Sequence, residues 1–194
     1  MREKRGPGHQ MSVRTLCLAI LEREDATGYE IRKMSTEGKF RYFVEASFGS
    51  IYPTLARLES EGLVTVREER QSGKPTRKVY SITDAGRAEF VRALCEPPAP
   101  DTFRSPFLLV AMCADIVGPQ VIGRAIDLRI KSLREEAAFL DATAQETGGH
   151  APTGFIIDYG RHCIAADLGF LEANRQILED IARDAGPAVA QAAE

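Results

Sequence analysis

The side chains whose types and spacing could do chemistry are hydroxyls and cations rather than nucleophiles. Ser50, Thr54 and Arg57 recur on one side of a candidate helix within Ser47–Leu63. Phe48, Ile51, Leu55 and Leu58 fall opposite them, at i, i+3, i+7 and i+10. Pro53 shares the small, polar, basic side. Tyr52 has two readings, a partly buried ring on the apolar flank or an outward group near the helix's leading end. Downstream, Arg67, Arg70, Lys74, Arg77 and Lys78 surround the turn Gln71-Ser72-Gly73-Lys74-Pro75. Hydroxyls and guanidinium groups on a helix can hydrogen-bond base edges, whereas Lys and Arg in a hairpin suit phosphates and carry no sequence preference of their own. The pattern therefore implies non-covalent recognition of double-stranded DNA. No nucleophile has a matched base, no loop cradles phosphates, and His9, His150 and His162 lack metal-ligand spacing. Neither an enzyme nor a cofactor or metal is expected.

Those groups need elements to hold them. Ser47 is a plausible N-cap and itself a candidate DNA contact, and Gly62 sits where a left-handed residue would end the helix. Pro53 leaves the start open, either near Ser50 or at Ser47 with a bend. Leu63–Arg67 and Val79–Ile82 alternate like two strands of a hairpin. Upstream, Ser12 can cap a helix with Val13, Leu16, Cys17, Ile20 and Leu21 on one stripe. Thr27 can cap a second, reaching about Glu37, after which Phe40, Tyr42, Phe43 and Val44 offer apolar anchors. Thr83 can cap a fourth helix whose Ala85, Phe90, Val91 and Leu94 would cross the back of the domain. A helix with one buried and one polar face, followed by a basic hairpin, is the layout of a winged helix.

Three blocks carry a family resemblance. They are Gly28-Tyr29-Glu30-Ile31, then Gly49-Ser50-Ile51-Tyr52-Pro53-Thr54-Leu55 through Arg57-Leu58-Glu59 to Glu61-Gly62-Leu63-Val64, then Arg77-Lys78-Val79-Tyr80 through Ile82-Thr83 to Ala85-Gly86. In order and spacing they resemble the PadR family of bacterial transcription regulators, over roughly residues 12–94. The resemblance implies a dimeric winged-helix repressor that leaves its operator when a small ligand binds. The helical remainder resembles the C-terminal region of the family's longer members.

Composition divides the chain in two. The net charge is −3, yet residues 1–95 hold 17 Lys+Arg against 13 Asp+Glu while residues 96–194 hold 8 against 15. The basic half carries the winged-helix pattern, where an electrostatic footprint belongs. Glu96-Pro97-Pro98-Ala99-Pro100-Asp101 marks the boundary, since prolines so dense cannot continue a helix. The expected organisation is a flexible tail over 1–11, a winged helix-turn-helix over 12–95, a linker over 96–102, a helical dimerisation and effector domain over 103–185, and a frayed end over 186–194. The fold class is mainly α, with a small two-stranded wing and a coiled-coil-like C-terminal domain.

In the C-terminal half, Phe107–Val117 is almost wholly apolar and would need burial on all sides, most easily by pairing with another copy. Ile122, Ile126, Ile130, Leu133, Ala137 and Leu140 form a helical seam. A last helix, about Thr153 to Arg183, carries one stripe of Ile156, Tyr159, Cys163, Ala166, Phe170, Ala173 and Ile177 and another of Ile157, Ile164, Leu168, Leu171 and Leu178. About 30 helical residues span roughly 45 Å, so one stripe can pack on its own chain while the other meets a second copy. Phe107, Leu108, Val110, Ile156, Tyr159, Cys163, Phe170 and Ile177 are the dimerisation candidates of a homodimer. Phe107, Tyr159, His162 and Phe170 could line a site for a small hydrophobic or aromatic effector, an expectation drawn mostly from the resemblance. Cys17, Cys95, Cys113 and Cys163 are scattered and read as buried, reduced thiols. No apolar run reaches a bilayer's span, so a cytoplasmic protein without a membrane partner is expected. A winged-helix module that binds a protein and no DNA is the alternative, supported by the acidic overall charge.

Overall fold

The computed structural model describes residues 11–43, 48–69, 76–146 and 148–184, with only the backbone of Phe48. Most of the expected tail, the whole frayed end, and Ser47, Val44, Arg70 and Lys74 lie outside those residues. Two compact units divide the chain, Met1–Thr102 and Phe103–Glu194.

Local hydrogen bonding sets the helix starts of the first unit. α1 (Val13–Leu21) follows Ser12, whose hydroxyl accepts from the Thr15 N–H at 3.1 Å. α2 (Gly28–Thr36) begins with a capping box: the Thr27 hydroxyl accepts from the Glu30 N–H at 3.2 Å, and the Thr27 N–H donates to the Glu30 carboxylate at 2.7 Å. That backbone bond, seconded by the Thr27 hydroxyl, holds the Glu30 carboxyl below its usual range. A carboxylate depressed in this way contributes stability above its unfolded value of 4.5, lost as pH falls through the lower folded value. Glu30→Gln should therefore lower Tm slightly near neutrality and flatten its fall below pH 4.5, as read by circular dichroism melts across pH.

α3 (Phe48–Ser60) keeps Pro53 inside it, so the carbonyl of Gly49 loses its helical partner. Of the two starts the sequence left open, the one near Ser47 is found. The helix ends in a Schellman motif: Gly62 adopts φ 72°, its N–H bonds the Glu59 carbonyl at 3.0 Å, and the Leu63 N–H bonds the Leu58 carbonyl at 2.9 Å. Ile51, Leu55 and Leu58 are 0% exposed and pack with Leu16, Cys17, Ile20 and Ile31. Each such burial is worth about 1.5–3 kcal/mol.

β2 (Val64–Glu69) and β3 (Arg77–Ile82) pair antiparallel, with Val64 opposite Ile82 and Glu69 opposite Arg77. A third strand absent from the sequence reading, β1 (Ala26–Thr27), pairs with β3 at Tyr80 and Val79, so the order is β1-β3-β2. Two residues cannot show an alternation; β1 exists because β3 offers it an edge. α4 (Asp84–Cys95) follows Thr83, whose hydroxyl accepts from the Gly86 N–H at 3.0 Å and donates to the Gly62 carbonyl at 2.8 Å. Gly86 and Phe90, one turn apart, face the core. Leu94, a further turn along from Phe90, and Val91 stay 52% and 58% exposed.

The second unit contains α5 (Pro106–Met112), α6 (Ala114–Val117), α7 (Pro119–Glu146) and α8 (Ala151–Asp184). The apolar run over Phe107–Val117 breaks at Cys113, and no residue of α5 is buried. One side of that short helix, Phe107 and Val110, packs partly on Ala114, Ile122 and Ile126, while Leu108, Leu109 and Met112 remain exposed. α7 and α8 form an antiparallel hairpin around Ile122, Ile126, Ile130, Leu133, Leu140, Ile157 and Ile164. Ion pairs flank the seam: Asp127–Arg175 at 2.6 Å, Arg129–Asp167 at 2.9 Å, Arg134–Glu172 at 3.0 Å and Asp141–Arg161 at 2.5 Å. Exposed pairs of this kind add about 0–1 kcal/mol each, so their use lies in specifying register. Among the described residues, no helix is long and apolar enough to cross a membrane.

The cysteines divide. Cys17 is buried, which pushes its thiol up to about 12. Cys95 and Cys163 are exposed and Cys113 is intermediate, correcting the expectation of four buried thiols. Cys163 belongs to the stripe of α8 that does not pack on α7.

Candidate nucleic-acid interface

Burying Ile51, Leu55 and Leu58 turns the opposite side of α3 to solvent. Tyr52 is 44% exposed, and Arg57 and Pro53 are also exposed, while Ser50 and Thr54 are half-buried. The Thr54 hydroxyl donates to the Ser50 carbonyl at 2.6 Å, so its proton is used within the helix and its lone pairs remain for a ligand. Glu61, which could have tied up Arg57, is held by Arg14 at 2.6 Å. That contact is the main cause keeping the Glu61 carboxyl below its usual range; Arg57 acts on it only through charge. Arg57 is thus a guanidinium on an open face.

The hairpin is more heavily paired than its composition suggested. Arg67 bonds Asp25 and also meets Glu69 at 3.3 Å and the Ser81 hydroxyl at 3.1 Å. Arg77 bonds Glu69 through Nε at 3.0 Å and through its terminal nitrogen at 2.7 Å. Arg67 holds the Asp25 carboxyl below its usual range, and Arg77 does the same for Glu69. Lys78 stays exposed, and no hydrogen bond or ion pair engages it among the described residues.

Two features escaped the sequence reading. Tyr29 is 57% exposed with the Arg32 guanidinium 5.1 Å from its ring. It lies two positions before the buried Ile31, about 200° round the helix, which is the signal that would have found it. The expected anchors after α2 also divide. Phe40 packs on the core, whereas Tyr42 and Phe43 are 45% and 46% exposed, with Arg41 4.7 Å above the Tyr42 ring.

The effector candidates do not converge. Tyr159, His162 and Phe170 lie exposed along three turns of α8, while Phe107 packs inward on its own unit. The reason is the choice of stripe: Ile157, Ile164, Leu168 and Leu171 meet α7, leaving Ile156, Tyr159, Phe170 and Ile177 at 45–67% exposure. Of the dimerisation candidates, Phe107 and Val110 therefore face their own core, and Leu108 joins the exposed set. Among the described residues, no group of three or more His, Cys, Asp or Glu could hold a metal ion.

Three helices and a small antiparallel sheet, with the hairpin directly after the third helix, define a winged helix-turn-helix protein. Residues 17–92 match the Transcriptional regulator PadR-like family. The Negative transcriptional regulator PadR of Bacillus subtilis (strain 168) is 34% identical over 95 residues, 48% of this chain and 52% of that protein. The chain spans about half the length, or less, of the curated relatives it matches. Among solved structures, the PadR-like regulator BC1756 from Bacillus cereus is similar with a TM-score of 0.73 and 29% identity, covering 87% of this chain and 99% of that one. Bacillus subtilis PadR in complex with operator DNA shares the fold at a TM-score of 0.70 and 22% identity, over 87% and 98% of the two chains. The same protein in complex with p-coumaric acid gives 0.63 and 21%, over the same shares. Residues 17–92 thus form a PadR-like transcriptional-regulator domain.

Proposed function

We propose that the chain is a homodimeric, DNA-binding repressor, released from an inverted-repeat operator by a small hydrophobic or aromatic effector. The observation that carries the DNA reading is the division of α3: three apolar side chains are fully enclosed while Tyr52 and Arg57 stand open. In this reading Ser47, Ser50, Tyr52, Thr54 and Arg57 meet base edges and adjacent phosphates, and Lys74, Arg77 and Lys78 track the backbone. Arg77 must share or surrender Glu69 to reach a phosphate, so Lys78 is the readier contact. Residues 12–95 act as the reading head, 96–102 as the connector and 103–185 as the pairing domain, in the cytoplasm. Two copies reading successive major grooves would need half-sites about one helical turn apart, or a multiple. The operator-bound and p-coumaric acid-bound structures of Bacillus subtilis PadR support both the DNA and the effector parts by analogy.

The experiment is a selection of duplexes from a random-sequence pool, followed by anisotropy titration of the preferred duplex and a scrambled one at stated salt. Arg57→Ala should bind the preferred duplex about tenfold more weakly, with less effect on the scrambled one. An unchanged preference removes Arg57 from the reading face. The pairing of Arg67 and Arg77 with carboxylates favours one other reading, a winged-helix module for a protein partner. Wild-type protein that shows no salt-dependent retention on random duplex would select it.

A further inference from the structure

Two of the sequence blocks meet at one contact. Gly28 opens α2 directly after its cap, and Tyr52 stands just over one turn into α3. A Cβ added to Gly28 would lie 2.7 Å from Tyr52 Cε1 and 3.2 Å from Cδ1, with Leu55 Cδ1 at 3.5 Å. The tyrosine ring therefore rests on bare α2 backbone, in space that any larger residue would fill. Gly28 does not have a positive φ, so its conformation suits other residues too, and the room it leaves is what matters. Gly28 is buried, yet Tyr52 is 44% exposed. One side of the ring is seated, and part of the side chain is exposed.

A ring seated on one side keeps its direction while its exposed part can still meet a ligand. We infer that Gly28 is a positioning residue: its missing side chain seats the Tyr52 ring, and Tyr52, so oriented, sets part of the base preference of α3. This rests on the DNA-reading function proposed above. It adds that preference runs through a contact between α2 and α3 rather than through the outer face of α3 alone. Other residues at the α2 start would then tune preference without touching DNA.

Two readouts test it on the full chain. In protein labelled with 3-fluorotyrosine, Tyr52→Phe identifies the Tyr52 fluorine resonance. Gly28→Ala should move that resonance and leave those of Tyr42 and Tyr159 in place. On the duplex preferred by wild type, Gly28→Ala should lose about tenfold in affinity, with binding to scrambled duplex unchanged. Tyr52→Ala should do the same, and the double variant should be no worse than Tyr52→Ala alone, because Gly28 acts through the ring. The double variant also covers the case in which Gly28→Ala unfolds: with the ring gone, the added methyl has room. An unmoved resonance, losses that add, or an unaltered preference in Gly28→Ala overturns the inference. Absence of DNA binding by wild type strikes the proposed function itself; a discriminating wild type beside an equally discriminating Gly28→Ala strikes this inference alone.

Discussion

Gly86→Ala should unfold the winged unit at a much lower temperature than wild type. A Cβ at Gly86 would lie 2.1 Å from the Leu63 carbonyl oxygen and 2.8 Å from Ile82 Cγ1. The first of these is backbone, so no rotamer change relieves it. Leu63 cannot retreat easily, because its N–H closes the Schellman motif of α3 and its carbonyl accepts from the Thr83 N–H at 3.0 Å. One methyl therefore pushes apart the end of α3, the start of β2 and the cap of α4. Overpacking against backbone of this kind costs on the order of 2–4 kcal/mol. For a unit of this size that corresponds to a fall in Tm of roughly 10–20 °C. Gly49→Ala is the matched control: its added Cβ meets nothing within 4 Å, and alanine favours helix over glycine. Its Tm, measured by the same calorimetric scan, should hold or rise slightly.

The second large effect concerns assembly. Tyr159→Asp combined with Phe170→Asp should convert a dimer to a monomer by light scattering, with the helical circular dichroism kept. Both side chains lie on the stripe of α8 that avoids α7, at 64% and 67% exposure. The hairpin seam, built from Ile157, Ile164, Leu168 and Leu171, does not include them. In a two-fold interface each substitution acts twice. Losing two aromatic side chains worth about 1.5–3 kcal/mol apiece on both copies removes on the order of 6–12 kcal/mol. That is comparable to the whole association energy of a micromolar to nanomolar dimer. Glu135→Ala, on an exposed position of α7, should leave the mass unchanged.

Legibility from the sequence followed the strength of local pattern. Ser12, Thr27 and Thr83 were readable as caps because each precedes an apolar period, and all three make the side-chain bond expected of them. The α3 division was readable because Ile51, Leu55 and Leu58 keep one helical phase. What local pattern could not show was partner choice. The pairing of β1 with β3, the capture of Glu61 by Arg14 instead of Arg57, and the pairing of Arg77 with Glu69 depend on the register between distant segments. Both stripes of α8 were visible, but which one met α7 was not. In the apolar run over Phe107–Val117, the short α5 turns only Phe107 and Val110 toward its own unit and leaves Leu108, Leu109 and Met112 exposed. The Gly28–Tyr52 contact joined two motifs that sequence alone had set side by side without explaining either.

The open face of α3 as a reader of duplex DNA is tested most directly by one titration. The intact wild-type chain is added to its pool-selected duplex, and anisotropy is followed from about 50 to 200 mM salt. Affinity should fall linearly in log–log form, and saturation should come at two chains per inverted repeat, with scrambled duplex bound more weakly throughout. Equal affinity for both duplexes, or binding indifferent to salt, would contradict the account.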